Sequence, residues 1–141
     1  GHVGDVAEVD PQILKTLEGG RFIPVISPVG ADAKGQSYNI NADLVAAHIA
    51  ASLLAEKLLI LTDVPGILDK KGQLVSTLSR KEAVRMIKKG EIQGGMLPKV
   101  EAALLAVDRG VRKAHIIDGR VPHASLLEIF TDEGVGTEIV S

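Results

Sequence analysis

Residues 38–66 read YNINADLVAAHIAASLLAEKLLILTDVPG, and the reading of this stretch decides the fold. Two amides and a carboxylate stand at alternate positions: Asn39, Asn41 and Asp43. In an extended segment residues two apart face the same way, so Asn39 and Asn41 present side chains toward one point. Asn41 is also a good N-cap for the alanine-rich run behind it. Asp43 then falls in the first helical turn, where negative charge suits the macrodipole. The pattern predicts a helix over 41–56. The apolar run 57–61 reads as a buried strand, ended by Thr62-Asp63-Val64-Pro65-Gly66. Pro65 and Gly66 suit positions i+1 and i+2 of a type II turn. An extended segment, a capped helix, a strand and a turn make the repeating unit of a parallel α/β sheet.

The rest of the chain extends that unit in both directions. Residues 3–9 alternate apolar and polar, which predicts a strand with one solvated face. Asp10-Pro11 marks a helix start, Ile13, Leu14 and Leu17 give that helix an apolar side, and Gly19-Gly20 ends it. Residues 22–27 read as a continuous apolar strand of the kind buried on both faces of a parallel sheet. Residues 28–36 form a loop or hairpin turning at Lys34-Gly35. Beyond Gly66, 67–69 and 73–75 suit a small hairpin. Ser79 with Glu82 is a capping box for a helix running to about Lys89. Gly94-Gly95 leads into another helix ending near Gly110. Residues 114–118 read as a third strand, 123–130 as a short helix and 137–140 as a last strand. Strand alternating with helix predicts parallel units whose ligands sit at the strands' carboxyl ends. Residues 39–43, 62–68 and the loop after Asp118 are expected to collect there.

Composition narrows the function. A chain of 141 residues suits one domain, and 45% hydrophobic content with 2% aromatic predicts an aliphatic core. Acids and bases are interspersed around a net charge of -2, with no basic stripe for nucleic acid. No apolar run approaches the roughly 20 residues that span a bilayer. There is no cysteine, hence no disulfide, thiolate zinc site or cysteine nucleophile, which accords with a cytoplasmic protein. The chain starts without methionine on Gly1-His2, as a fragment, a processed product or an expression remnant would.

Several enzyme signatures are missing: G-x-x-x-x-G-K-[ST], H-E-x-x-H and G-x-S-x-G. The histidines at 2, 48, 115 and 123 lack metal-ligand spacing, no metal ligand is assigned, and His48 suits packing or solvent better than ligation. Gly134-Val135-Gly136 lacks the strand-then-helix setting of a dinucleotide fingerprint. Phosphoryl transfer remains. It needs positive charge against the transferring group and donors that place the acceptor. Lys99 stands near a helix start behind two glycines whose amides can approach an anion closely. By itself Lys99 reads more readily as a solvated surface lysine, and Asp63 equally as a turn-forming residue or a member of a cofactor loop.

Three blocks in order change that reading: residues 39–43 (NINAD), 61–69 (LTDVPGILD) and 94–99 (GGMLPK). Together they resemble the carboxy-terminal lobe of the amino acid kinase family, most nearly its acetylglutamate kinase branch. Residues 1–4 (GHVG) and 71–73 (KGQ) are similar too, and the resemblance covers the whole chain. It implies an α/β, three-layer αβα fold of carbamate kinase type with a mainly parallel sheet. The chain would be its C-terminal, ATP-binding half; nothing here matches the N-terminal acceptor-binding lobe with its glycine-rich loop and second lysine.

The implied reaction is ATP-dependent phosphorylation of the side-chain carboxylate of N-acetyl-L-glutamate, a step of arginine biosynthesis. The implied roles are Lys99 stabilising the transition state, Asp43 orienting it, and Asn39 binding substrate. Asn41 would be a supporting donor or only the helix cap. Thr62, Asp63, Val64, Pro65, Gly66, Ile67 and Leu68, with Glu91, Ile92 and Gln93, would line the ATP site. Mg2+ would arrive held mainly by the phosphates. The tail from Asp118 to Thr137 is similar to arginine-inhibited members, which makes Glu128, Gly134 and Gly136 candidates for an effector site; an ordinary helix and glycine turn fit the same residues. A PII-type regulator and a homo-oligomer are further implications. These residues alone are expected to give little or no turnover. Two other readings stay open: a non-catalytic nucleotide- or arginine-sensing module, and a kinase acting on carbamate, aspartate or glutamate.

Overall fold

The computed structural model describes residues 2–131 and 134–141. Gly1, Asp132 and Glu133, which belong to stretches quoted above, lie outside the described residues. In chain order the elements are α1 (Gln12–Gly19), β1 (Val29–Ala31), β2 (Ser37–Asn39), α2 (Ala42–Ser52) and β3 (Lys57–Thr62). There follow β4 (Thr77–Ser79), α3 (Arg80–Lys88), α4 (Met96–Asp108), β5 (Lys113–Asp118), α5 (Ala124–Phe130) and β6 (Gly136–Val140).

The main sheet has the order β3-β5-β6-β4. β3 and β5 run parallel, in register from Lys57 opposite Lys113 to Thr62 opposite Asp118. β4 and β6 are also parallel, whereas β5 and β6 are antiparallel. Along β5, Ala114 and Ile116 alternate with His115 and Ile117. The first pair joins a core of Ala47, Ala50, Leu58, Ile60, Leu78, Ala83, Val100, Ala103 and Ile139, which places α2, α3 and α4 on one face. His115 reaches Glu128 of α5 on the other. The three-layer α/β architecture with a mainly parallel sheet is therefore present. α2 and α4 pack side by side, and their contact is rich in alanine, whose small side chain allows close approach of the two backbones.

Helix punctuation follows the sequence closely. Asn41 caps α2, its Oδ1 accepting the Leu44 N–H at 3.1 Å. Ser79 and Glu82 form the capping box of α3. α1 starts one residue later than expected, with Asp10 Oδ1 accepting from Gln12 N at 2.9 Å. The 28–36 segment resolves as part of the β1-β2 hairpin, and a single bridge, Leu68 to Leu74, closes the small one after Gly66.

Four expectations are corrected. Residues 22–27 are not a strand; Ile23 is 91% and Val25 96% exposed. A strand buried on both faces needs neighbours to take its N–H and C=O groups, and no described strand runs beside this segment. Apolar periodicity is local, but sheet membership is decided by distant partners. For the same reason residues 3–9 keep only one bridge, Val3 to Asn39, and α1 buries none of its residues. β3 is an edge strand: Leu58 and Ile60 are buried, but Leu61 is half-exposed. Last, β6 returns antiparallel to β5. A seven-residue α5 advances about 10 Å at 1.5 Å per residue, half of what a six-residue strand covers, so it cannot carry the chain back for a parallel return.

Candidate active site

In a β-α-β unit the helix runs back along the strands, so its N-terminus lies at their carboxyl edge. α2 precedes β3 and α4 precedes β5, and β3 and β5 are parallel neighbours. Both helix N-termini thus meet at the edge where Thr62 and Asp118 end their strands. Asp43 occupies the first turn of α2 and Lys99 that of α4. Lys99 Nζ lies 2.9 Å from Asp43 Oδ2, 56 positions away in sequence, each side chain 21% exposed. The pair is screened enough to fix a geometry and open enough to meet a ligand. Asn39, the last residue of β2, stands two positions before the α2 cap. Asn41 spends its side-chain oxygen on that cap, the plainer of its two readings.

Residues 62–68 leave the end of β3 at the same edge. Val64 and Leu68 are partly exposed, while Ile67 is buried in the core. Gly66 takes φ +143°, far from the type II value of about +80°, and the Ile67 N–H that would close the turn donates to Thr137 instead, so the expected type II turn does not form. Of the second expected segment, Ile92 belongs to the same core as Ile67, and Glu91 pairs with Lys70 at 3.1 Å, joining this segment to the hairpin after the loop. Gln93 folds onto the Gly90 carbonyl.

A charged pair that sequence reading left unassigned completes this edge. Arg120 grips Asp118 through Nε and Nη2 at 2.9 and 2.8 Å, and its backbone N–H also donates to Asp118 Oδ1. The Arg120 guanidinium, seconded by that N–H, pulls the Asp118 carboxyl from 3.8 to about 2. A depressed carboxylate stabilises the fold above its unfolded pKa and loses that contribution as pH falls through the folded one. Acid melts are therefore expected to show Asp118→Asn and wild type diverging above pH 3.8 and converging as the pH approaches 2. A constant gap down to pH 2 would contradict the pairing.

The comparisons with known proteins follow the same lines. A sequence model of the Amino acid kinase family matches residues 1–118. This chain belongs to the amino acid kinase family. Acetylglutamate kinase of Persephonella marina is 57% identical over 141 residues, covering all of this chain and 47% of that protein. Its counterpart in Halorhodospira halophila is 60% identical over 139 residues, 99% of this chain and 46% of that one. The chain spans about half the length of the curated relatives it matches. Among solved structures, N-acetylglutamate synthase from Neisseria gonorrhoeae, complexed with coenzyme A and L-arginine, matches with a TM-score of 0.92 at 30% identity, over 99% of this chain and 32% of that one. Carbamate kinase from Giardia lamblia bound to AMP-PNP matches with a TM-score of 0.74 at 23% identity, over 94% and 44%, a likeness of fold alone.

This amino acid kinase chain has a second polar site, on the α5 face of the sheet. A pocket of about 410 Å³ is lined by Lys57, Thr77, Lys113, His115, Glu128 and Glu138, with Gly134 and Gly136 at its wall. Glu128 is buried, 2.6 Å from His115 Nδ1 and 2.6 Å from the Val135 N–H that donates to its other oxygen. His115 Nε2 has no partner among the described residues. The Lys113 ammonium, 2.8 Å from Glu138, holds that carboxyl below its usual range against the opposing effect of burial. Gly134 takes φ +63°, and a Cβ there would stand 2.9 Å from Glu128 Oε2. His115 was legible only as a lone polar residue in an apolar strand; its partner lies 13 positions on, beyond any local pattern.

Proposed function

We propose that this chain is the nucleotide-binding lobe of an acetylglutamate kinase. In the reaction the γ-carboxylate oxygen of N-acetyl-L-glutamate attacks the γ-phosphorus of ATP. The bond to the ADP oxygen breaks, and an acyl phosphate and ADP leave. The single observation that carries this reading is the Lys99–Asp43 pair at the meeting point of two helix N-termini. An ammonium fixed there, at the positive ends of two helix dipoles, is disposed to stabilise charge on the transferring phosphoryl group. Asp43 orients the ammonium. Asn39 donates to the acceptor, and the 62–68 loop with residues 91–93 receives the nucleotide. The groups at this edge (the paired Lys99 and Asp43, the paired Arg120 and Asp118, and Asp63) would suit Mg2+ brought in with the nucleotide, whose phosphate charge it would neutralise. The acceptor pocket and a second cation are supplied by sequence beyond these 141 residues, as the half-length match to relatives suggests.

The test is hydroxamate trapping of the acyl phosphate by the complete protein that contains this chain. N-acetyl-L-glutamate is expected to be used at least tenfold better, by kcat/KM, than L-glutamate, L-aspartate or carbamate. No ATP-dependent hydroxamate with any of them would defeat the reading.

A regulatory role for the α5-face pocket has its own support. The carboxylates of Glu128 and Glu138 suit a guanidinium, and the structurally similar synthase was solved with L-arginine. We read the pocket as an arginine site. Glu128→Gln is expected to weaken arginine inhibition by about tenfold or more, one charge-assisted contact being lost, while uninhibited kcat stays within about twofold. An enzyme indifferent to arginine would remove this reading and leave the kinase assignment standing. A PII-type partner and a homo-oligomer accompany the assignment as parts of the same proposal.

A further inference from the structure

Thr137, the second residue of β6, is fully buried, yet its hydroxyl serves no strand partner. Thr137 Oγ1 accepts the backbone N–H of Ile67 at 2.9 Å, 70 positions away. Ile67 is buried as well, so its N–H has no access to water. On the same face, Gly66 lies so close that a Cβ there would meet Thr137 Oγ1 at 2.8 Å and the Thr137 amide nitrogen at 3.2 Å. Three features therefore press the loop after β3 onto β6: the side chain of Ile67 sunk in the core, its N–H bonded to Thr137, and a glycine that permits the close approach. Val64 and Leu68 stay partly exposed on the outer side of this clamp.

We infer that Thr137 is a positioning residue for the nucleotide. It touches no substrate itself; it sets the height and tilt of residues 63–66 above the sheet edge, and so the surface on which the nucleotide rests. The inference deepens the proposed function and rests on the assignment of 62–68 to ATP. It predicts a specific split. Thr137→Val keeps the side-chain shape but leaves the Ile67 N–H buried without an acceptor, a loss worth about tenfold in an equilibrium. The KM for ATP is expected to rise about tenfold, with kcat and the KM for the acceptor within about twofold. Thr137→Ser, which keeps the hydroxyl, is expected to restore wild-type behaviour.

The experiment uses the complete protein, with ATP titrations, steady-state kinetics and hydrogen exchange at the Ile67 amide. In Thr137→Val that amide is expected to exchange about tenfold faster than in wild type. Equal rises in both KM values, or a fall in melting temperature with ATP binding unchanged, would make Thr137 merely structural and overturn the inference. If Thr137→Val does not fold, the wild-type amide decides: slow exchange at Ile67 against fast exchange at Val64 supports the clamp, and equally fast exchange ends it. A wild-type protein that binds no ATP overturns the kinase reading itself, together with the nucleotide role given to Thr137. ATP binding that Thr137→Val leaves untouched overturns only the latter.

Discussion

Replacing Lys99 by alanine in the complete enzyme is expected to lower kcat by about 10²–10³-fold while changing the KM for ATP by less than about threefold. The magnitude is that of removing one preorganised charge from a site where negative charge is stabilised as the transition state forms. A group that bound ground state and transition state equally would raise KM and spare kcat. The half-buried pairing with Asp43 is what makes the stronger outcome expected: the ammonium is already fixed 2.9 Å from a carboxylate rather than searching solvent. Asp43→Asn leaves the ammonium in place but less constrained, so its loss is expected to be smaller, about 10-fold. Lys99 stands in the first turn of α4 with its side chain partly exposed, so the alanine variant should melt within a few degrees of wild type. Single-turnover kinetics with unchanged kcat in Lys99→Ala would return residue 99 to the surface lysines and leave the sensor reading in front.

The largest expected effect on stability belongs to Gly136. A Cβ at this position would lie 2.3 Å from the Ile116 carbonyl oxygen, 2.7 Å from Ile117 Cγ2 and 3.0 Å from Ile117 Cα. Two of these are backbone atoms of the central strand, which cannot swing aside as the tip of a side chain can. Gly136→Ala is expected to destabilise by about 3 kcal/mol or more, through strain in the β5-β6 ladder. Chemical denaturation of the chain measures it. A change below about 1 kcal/mol would mean that the two strands separate at little expense. Gly136 thus has a structural reason to be glycine at the wall of the α5-face pocket, independent of any effector. Gly35→Ala makes the contrast: Gly35 has positive φ, +80°, but a Cβ there meets nothing within 4 Å, so only the conformational term of about 1 kcal/mol is expected.

Legibility divides according to how far apart the deciding residues are. The Asn41 cap, the Ser79-Glu82 capping box and the apolar runs of β3 and β5 are local features, and each appears within a residue or two of its expected place. The same local logic failed over 22–27. Its apolar pattern is as clear as that of β5, but no described strand takes up its hydrogen bonds. It failed again for β6, whose direction depends on how far α5 can carry the chain. For the site, residue types were legible before positions were. The Asn39–Asp43 block and Lys99 attracted notice through spacing and family likeness, whereas His115 on Glu128 and Thr137 under Ile67 carried no local mark; Arg120 on Asp118, only two positions apart, was within local reach and was passed over.

By itself, then, the sequence determined the helices and their caps, the aliphatic core, the α/β class and the membership of Asn39, Asp43 and Lys99 in a family pattern. The helices and caps depend on residues within a few positions of one another, where backbone geometry alone sets which side chains meet; the family pattern is a likeness of residue types in order and needs no contact. Only the tertiary structure decided that the amine of Lys99 reaches Asp43, that β6 runs against β5, and that a threonine 70 positions away holds the loop after β3. Contacts of that kind depend on how helices and strands pack, and packing is set by the whole chain at once.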